Sequence, residues 1–555
     1  MGSTDGSEAG SGGDGGDTSG SGGSSSSGGS SSSGGSGGSA GQTGVVGGAL
    51  RFTPAKLLLD PSESSEVRLR VDAEDGFEGE LQVVLSGAAG TLVPEPESFA
   101  LSADSPSQTV QIVADGDAAS GRYTLEATAM AADGGDALSA SLEVTISGRP
   151  GELDVTLGEG SGYFDFQPEG PCNAESVVML DDGRFVVVGQ ALTSKLMLAR
   201  FREDGAPDTN FGSDGVFIQP EVDAVRTSPA LLKDGSLLIA FDRGSIALAK
   251  IRDDGSMDDS WGEAGILATD LRAANHVAFA LDAEERILLG GGYYDETTNI
   301  YQPVLRRLLP DGSLDESFAG DGTLELRLDL FMGSSSSSDN VEDLAVEANG
   351  NIVAVGGTYQ PSNGVDGYQQ YVYRAQSNGQ PDSSFGSQGA RLVKFGTNEF
   401  GNYESAFSVA VQQGSSNERM IVTGGYFRQN ADTPYLLSLI RHQVNGELDA
   451  TFLASGKGAL DVPDNTEDFP GRFLLQPDDG ILTHVASYFG TEFVVLRFTA
   501  AGVLDTGFDR DGIAATLPGR AWGIAQSGRR AIVVGSAQPA PDASQKARVA
   551  RYWVR

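Results

Sequence analysis

The sequence predicts an all-β protein: a seven-bladed β-propeller, an immunoglobulin-like β-sandwich in front of it, and a disordered Gly/Ser tail. Three observations support this. Gly and Ser dominate the start, short runs of alternating apolar and polar residues follow, and one turn motif then recurs seven times along the 555-residue chain. The predicted boundaries place the tail at 1–48, the sandwich at 49–148 and the propeller at 149–555.

The tail contains four acidic residues, no Lys or Arg and very few apolar side chains. Such a segment cannot bury enough surface to offset the entropy of ordering it, so we expect a flexible tether. No signal-peptide pattern is visible at its start. The small residues after Met1 resemble a mature bacterial lipoprotein whose lipidated cysteine is replaced by Met1. A cytoplasmic protein and a misassigned start are the alternatives.

Residues 49–148 show the period-two alternation of half-buried strands, as in Glu80–Leu85 and Ala140–Ile146. Five such runs, separated by turns of Gly, Pro, Asp and Ser, favour two packed antiparallel sheets. The stretch around Tyr123 is similar to the corner before the penultimate strand of immunoglobulin-like domains, where a tyrosine ties the loop to the strand. We expect this region to act as a spacer or a contact surface.

The remainder repeats a turn in which Asp follows a Gly by three residues and an aromatic residue or Leu follows that Asp by three more. A base precedes the Gly in the last six copies. The Asp residues are Asp154, Asp208, Asp258, Asp315, Asp382, Asp449 and Asp505. The bases are Arg200, Lys250, Arg307, Arg374, Arg441 and Arg497.

Each interval between copies holds four strand-like runs, which is the content of one propeller blade. The first copy carries only the last strand of a blade, whereas the final segment has three strands and stops before the motif. The N-terminal strand is therefore predicted to pair beside the C-terminal three and close the last blade, which leaves no sheet edge exposed.

The repeat resembles the delta-60 repeat family in about 400 residues. The resemblance rests on units such as Asp181-Asp-Gly-Arg followed by a hydrophobic strand, then Arg200, Asp208, Phe211 and Gly215. It implies a predicted exported or surface protein of bacteria, located as an outer-membrane or cell-surface lipoprotein or secreted, and it implies no shared enzyme activity.

The motif Asp residues can be interpreted in two ways. Acid-rich stretches such as Asp253–Asp259 could supply calcium ligands, but they lack the full set of alternating oxygen donors that a calcium loop needs. The structural interpretation is that each Asp caps its turn and pairs with the base, while the aromatic residue fills the interface between blades. We expect no cofactor, with calcium as the alternative.

Composition argues against several other functions. The chain has 37 basic and 77 acidic residues and a net charge of −40, which disfavours nucleic acid as a partner. A single cysteine, Cys172, provides no disulfide and no thiolate metal cluster, and three scattered histidines supply little for catalysis. We expect a monomer that contacts a membrane only through a lipid anchor at its N-terminus.

Long loops between the second and third strands of three neighbouring blades predict a binding surface. Clustered aromatic and polar side chains there suit a protein or glycan partner. The alternative is that the loops vary freely and their tyrosines pack locally. The candidate residues are Tyr293, Tyr294, Tyr301, Tyr359, Tyr368, Tyr426, Phe427 and Arg428.

The preferred functional hypothesis is an exported, surface-tethered protein that recognises a partner through this loop-rich face. One alternative is a glycan-processing hydrolase or lyase with carboxylates that converge near the propeller axis. Another is a purely structural spacer in the cell envelope. A deep axial pocket with close acids of perturbed pKa would favour the enzyme, and a shallow Tyr-rich surface would favour binding.

Overall fold

The computed structural model describes residues 48–73, 79–131, 137–192, 194–223, 225–273, 276–295, 300–328, 339, 341–359, 368–395, 403–413, 419–428, 434–462, 469–486, 492–514, 516–537 and 544–554. The predicted tail lies outside these residues, apart from Gly48. Across the described ranges the chain is all-β with a propeller-like domain, and its only helical element is a 3₁₀ turn at Gly158–Gly160. None of these residues forms a helix that is long and apolar enough to cross a membrane.

The first nine strands form two sheets that share one hydrophobic core. Inward residues such as Val67 and Leu69 alternate with exposed ones, as the period-two pattern requires. The hydroxyl of Tyr123 donates to the carbonyl of Ala119 at 2.9 Å, which ties that corner to its strand. The strands are β1 (Gly48–Thr53), β2 (Lys56–Leu59), β3 (Ser64–Ala73), β4 (Glu80–Ser86), β5 (Leu92–Glu95), β6 (Ser98–Ser102), β7 (Ser107–Ala114), β8 (Gly121–Ala131) and β9 (Leu138–Ile146), in the orders β1-β3-β7-β5 and β2-β9-β8-β4-β6.

The propeller-like domain begins with β10 (Tyr163–Phe166) and continues in antiparallel sheets of consecutive strands. Sheet 1 holds β11 (Cys172–Met179), β12 (Phe185–Ala191), β13 (Lys195–Phe201) and β14 (Val216–Asp223). Sheet 2 holds β15 (Val225–Leu231), β16 (Leu237–Asp242), β17 (Ile246–Ile251) and β18 (Ile266–Ala268). Sheet 3 holds β19 (Ala278–Leu281), β20 (Ile287–Asp295), β21 (Ile300–Leu308) and β22 (Thr323–Glu325).

Three further sheets repeat this order. Sheet 4 holds β23 (Asp343–Val346), β24 (Ile352–Tyr359), β25 (Tyr368–Ala375) and β26 (Ala390–Val393). Sheet 5 holds β27 (Tyr403–Gln413), β28 (Arg419–Arg428), β29 (Leu436–His442) and β30 (Lys457–Leu460). Sheet 6 holds β31 (Phe469–Pro470), β32 (Leu474–Leu475), β33 (Ile481–Ala486), β34 (Glu492–Phe498) and β35 (Leu517–Pro518), with β31 and β32 both paired to β33.

Sheet 7 joins the two ends of the domain. Its strands are β36 (Arg520–Ser527), β37 (Arg530–Ala537) and β38 (Lys546–Trp553), and β10 pairs with β38 from Tyr163 opposite Ala550 to Phe166 opposite Ala547. Two hydrogen bonds from Arg548 to Asp165, at 2.6 and 2.8 Å, fasten this pairing. The edge that β38 would otherwise expose is therefore covered by β10.

The recurring turn connects neighbouring sheets. Gly312 has a φ of +87°, a conformation that glycine adopts without strain. Asp315 accepts the backbone N–H of Ser317 at 3.1 Å and pairs with Arg307 at 2.7 Å. Arg307 also donates to the carbonyl of Ser377 in the following turn and lies 4.7 Å from the centre of the Phe318 ring. One guanidinium therefore joins its own turn to that of the next sheet.

The N-terminal sheets contact the propeller-like domain directly. Asp60 accepts hydrogen bonds from Ser147 and from Arg529 of sheet 7. Lys56 lies 3.6 Å from Glu203 of the turn after sheet 1. These contacts, on both sides of a short connection, restrict the motion of one part against the other.

Candidate axial binding site

The first strands of the sheets enclose a central cavity of about 640 Å³. Each first strand contacts the first strand of the next sheet, from β11 through β15, β19, β23, β27 and β32 to β36, and β36 contacts β11 again. The lining residues come from the beginnings of these strands or from just before them, with Tyr426, Tyr435 and His484 added from neighbouring strands and loops. The cavity therefore lies at the end of the axis where first strands begin and second strands end.

Two carboxyl groups, one half-buried and one buried, stand on different sides of this cavity. Glu175 of sheet 1 accepts the backbone N–H of Thr227 at 2.8 Å and the side-chain amide of Gln190 at 2.5 Å. Burial raises its pKa, although hydrogen bonds from Thr227 and Asn173 oppose the shift. A carboxyl group with a raised pKa can donate a proton or a hydrogen bond at a pH where an exposed one cannot.

Asp343 of sheet 4 is the second of these groups. One carboxylate oxygen accepts the backbone N–H of Val409 at 3.0 Å and the hydroxyl of Ser408 at 3.2 Å. The other lies 4.0 Å from a guanidinium nitrogen of Arg472. Burial raises the pKa of Asp343, and the opposing effect of Arg472 does not cancel the shift.

A third acid, Glu342, is only 2% exposed and precedes Asp343 in the chain. Its carboxylate lies 3.6 Å from Nδ1 of His276, whose side chain is half exposed. The His276 ring in turn meets the edge of Phe407, with ring centres 5.2 Å apart. An acid, an imidazole and an aromatic ring thus meet on one side of the cavity.

Aromatic side chains form the adjoining wall. The ring of Tyr426 stands edge-on to Phe407 at 5.0 Å and to Tyr435 at 4.9 Å. Burial raises the pKa of Tyr426, so its phenol stays protonated as a hydrogen-bond donor. Trp522 of sheet 7 also lines the cavity, and its side chain is 39% exposed. Such rings offer flat apolar surface to a ligand.

Two arginines complete the charged lining. Arg226 pairs with Asp242 at 2.7 Å. Arg472 is 45% exposed, and it lies 3.5 Å from the carbonyl of Phe279 and 4.0 Å from Asp343. The Arg472 guanidinium is the more accessible donor of the two.

His484 lies against the backbone of Gly471, where a Cβ atom would come within 1.9 Å of the imidazole ring. Glycine is therefore required at this position. Burial lowers the pKa of His484 to about 4, so the ring is neutral near pH 7. Within the described part of the chain its Nδ1 is buried and has no hydrogen-bond partner.

Bulges in the first strands direct several of these side chains. The register shifts around Glu175 in β11, around Arg226 and Thr227 in β15, around Phe407 in β27 and around Trp522 in β36. An extra residue in a strand interrupts the alternation and re-aims a side chain. Arg226 also adopts a φ of +57°, which is uncommon for a residue other than glycine. In the described ranges, no three His, Cys, Asp or Glu side chains are placed to hold a metal ion.

The predicted loop residues divide into separate groups. Tyr426 lines the cavity, and Arg428 lies over the ring of Tyr435 at 4.6 Å. Tyr293 instead donates to Glu325 at the outer edge of sheet 3, and Phe427 stacks on Phe395 at 5.4 Å.

The other four predicted loop residues are less fully placed. Tyr368 is half-buried and pairs with Tyr359 across sheet 4, and the backbones of Tyr294 and Tyr301 pair in sheet 3. The side chains of Tyr294, Tyr301 and Tyr359 lie outside the described residues.

The repeated Asp residues occupy equivalent places between sheets. Each lies within ion-pair distance of a base, and the first copy uses a base from the C-terminal strand. The pairs are Asp154 with Arg551, Asp208 with Arg200, Asp258 with Lys250, Asp315 with Arg307, Asp382 with Arg374, Asp449 with Arg441, and Asp505 with Arg497.

Sequence reasoning missed most of the cavity. It named Tyr426 but not the acids, the arginines, His276, His484 or Trp522. A signal was present, because Glu175, Thr227 and Glu342 stand at matching positions before the turn glycines Gly183, Gly235 and Gly350. Polar residues at the start of first strands mark the axial end of each repeat.

Comparison with known families gives one match. Residues 286–318 match a family described as a domain of unknown function (DUF5122) beta-propeller. No curated protein matches the chain significantly.

Several solved structures are similar to this chain. The beta-propeller domain of the Trilobed protease from Pyrococcus furiosus is 8% identical, with a TM-score of 0.35 over 70% of this chain and 97% of that one. The polysaccharide lyase Uly1 is 8% identical, with a TM-score of 0.40 over 70% and 90%. A thermostable family-43 glycoside hydrolase is 9% identical, with a TM-score of 0.28 over 68% and 98%.

Identities and TM-scores this low carry no information about activity. The matched family segment spans β20 and β21 of sheet 3 and the Gly312–Asp315–Phe318 turn, which is part of one repeat. Taken with the closed sequence of contacts between first strands, this match identifies the chain as a β-propeller protein.

Proposed function

We propose that this protein is a binding protein whose seven-bladed propeller recognises a saccharide unit of a glycan in the axial cavity. The observation that carries the proposal is the meeting of an aromatic wall with buried carboxylates in one cavity. Its volume of about 640 Å³ is typical of small-molecule sites.

Saccharides suit this lining because their two chemical faces match it. The C–H face of a pyranose ring packs on flat aromatic groups such as Trp522 and Phe407. Hydroxyl groups need both acceptors and donors, and Glu342 and Arg472 supply them at the cavity wall. Each such hydrogen bond fixes the orientation of the saccharide ring in the cavity.

The rest of the chain fits a protein that presents this cavity away from a surface. We propose a flexible tether at 1–48, an immunoglobulin-like spacer at 49–148 and a delta-60-like propeller at 149–555, exported and anchored as a lipoprotein or secreted. The contacts of Asp60 with Ser147 and Arg529 would hold spacer and propeller together. Tyr426 belongs both to the predicted loop face and to the cavity lining, which supports the proposal that a larger glycan or a protein partner extends beyond the cavity.

The test is a glycan array followed by calorimetry on the full chain, with Trp522→Ala and Tyr293→Ala compared. Trp522 lines the cavity, whereas Tyr293 lies at the outer edge of sheet 3. We expect Trp522→Ala to weaken binding about tenfold or more, which corresponds to about 1.4 kcal/mol, and Trp522→Phe to restore much of it. Loss of binding in Tyr293→Ala alone would move the site to the loop-rich face.

A second candidate is a glycan hydrolase or lyase, and the raised pKa of Glu175 favours it. A protonated carboxyl group at a cavity wall is the form that a general acid requires. Release of reducing ends from a bound glycan, abolished in Glu175→Gln, would support this candidate. Binding without turnover in the same assay would leave the protein as a receptor.

A further inference from the structure

We propose that the saccharide recognised in the axial cavity bears a free, protonated amine, as in a 2-amino-2-deoxy sugar. This inference rests on the proposed function and specifies the ligand of that same site. It is carried by the arrangement of Glu342, His276 and Phe407 and by the balance of charges around them.

The carboxyl groups of the lining favour a cation, because an ammonium also draws Glu175 and Asp343 toward their ionised forms. Three carboxyl groups line the cavity, those of Glu175, Glu342 and Asp343, against the two guanidiniums of Arg226 and Arg472. Arg226 already pairs with Asp242, which reduces its effect on a ligand. His484 is neutral near pH 7 and adds no charge to the lining.

The position of His276 marks where such an amine would bind. Its nitrogen lies 3.6 Å from Glu342, and its ring stands beside Phe407 at 5.2 Å. The His276 side chain is half exposed, so a ligand can displace it at little cost. An ammonium in its place would gain the buried carboxylate of Glu342 and would lie beside the Phe407 ring.

An anionic saccharide would meet the opposite situation. A uronate or sulfate group would face the carboxylates of Glu342 and Asp343 and could offset them only with Arg472. The net charge of −40 adds a long-range field that attracts cations and repels anions. We therefore expect affinity for the amine-bearing sugar to fall as salt is added.

Binding should also be linked to protons. An ammonium beside Glu175 or Asp343 favours their ionised forms and lowers the pKa values that burial has raised. Ionisation of these carboxyl groups releases protons, whereas the same negative charges raise the pKa of the sugar amine and favour uptake of a proton by it. Calorimetry in two buffers of different ionisation enthalpy measures the net exchange of protons.

The test compares three short oligosaccharides on the full chain by calorimetry: a glucosamine trimer, its fully N-acetylated form and a galacturonic acid trimer. We expect the glucosamine trimer to bind at least about tenfold more tightly than either of the others. N-acetylated or uronate trimers that bind as tightly would overturn the inference and leave the proposed function standing. If none of the three trimers binds and a glycan array also gives no positive signal, both this inference and the proposed function are overturned.

A matched pair of variants locates the amine. Glu342→Gln should lower the affinity for the glucosamine trimer by about tenfold, which removes the preference for the free amine. The affinity for the N-acetylated trimer should stay the same. Glu325→Gln, which changes the carboxylate that accepts from Tyr293 outside the cavity, should retain the preference. An unchanged preference in a folded Glu342→Gln protein would contradict the assignment. Salt dependence of the wild-type series is the second measurement, should Glu342→Gln fail to fold.

Discussion

Arg307 shows how one side chain in each repeat holds two turns together. It pairs with Asp315 at 2.7 Å, donates to the Ser377 carbonyl and packs on Phe318, and the two charged side chains are only 4% and 7% exposed. Arg307→Met leaves Asp315 buried without its cation. Because an unpaired buried charge is costly, we expect a loss of about 3–5 kcal/mol in the free energy of unfolding, measured in urea.

An ion pair of nearly equal length on the surface provides the control. Arg70 and Asp72 are 2.8 Å apart but are both well exposed. We expect Arg70→Met to change the free energy of unfolding by less than about 1 kcal/mol, since water screens this pair. Equal effects of the two substitutions would mean that the Arg307 contacts do not hold the sheets together.

We call the ion pair between each turn Asp and its base a clamp, and in sheet 7 the clamp joins distant parts of the chain. Asp154, which is fully buried, pairs with Arg551 of β38 at 2.7 Å and with Arg530 of β37 at 2.9 Å. We expect Asp154→Asn to speed amide hydrogen exchange in both 153–166 and 546–553, because removing this carboxylate loosens β10 from β38. Exchange measured by mass spectrometry reports the two segments separately.

Asp315→Asn is the matched variant, since Asp315 and its base Arg307 lie in one continuous segment. Its faster exchange should stay within sheets 3 and 4. If Asp154→Asn speeds exchange around Asp154 but leaves 546–553 unchanged, closure of the ring does not depend on this contact.

The elements differ in how far the sequence predicts them. The pairing of β10 with β38 follows from the spacing of the Gly, Asp and aromatic residues, because a truncated first copy and an incomplete last one complete each other. The cavity does not follow in the same way. Glu175, Phe407 and Trp522 reach it through strand bulges, and one extra residue in a strand leaves no signature in the alternation of apolar and polar side chains.

At the scale of the whole molecule, residues of the cavity converge from all seven sheets and are far apart in the chain. No single residue type recurs at the cavity positions of the seven sheets, whereas Asp recurs at the same position of every turn. The turn residues are therefore visible as a pattern in the sequence. The acidic residues of the cavity also cannot be distinguished by residue type, because the chain contains 77 acidic residues. Tyr426 was found because it belongs to a long loop, although its position at the axis was not foreseen.

The repeated clamps also predict how the whole molecule responds to acid. Burial by itself would raise the pKa values of Asp208, Asp315 and Asp449, but hydrogen bonds and the neighbouring arginines outweigh it and hold these pKa values below the ordinary 3.8. Carboxylates of this kind stabilise the fold fully above their unfolded pKa. That stability is lost as the pH falls below about 4 and through the lowered values.

Glu175 and Asp343 contribute to stability with the opposite dependence on pH. Their raised pKa values favour the folded state at low pH, and this contribution is lost as the pH rises. The clamps are more numerous, so we expect the unfolding temperature to fall steeply below about pH 4. Asp315→Asn should unfold at a lower temperature than the wild type at pH 7, and the difference should shrink as the pH falls through the lowered pKa of Asp315. Calorimetry over this range tests the prediction, and a gap that stays constant with pH would show that Asp315 does not act through its charge.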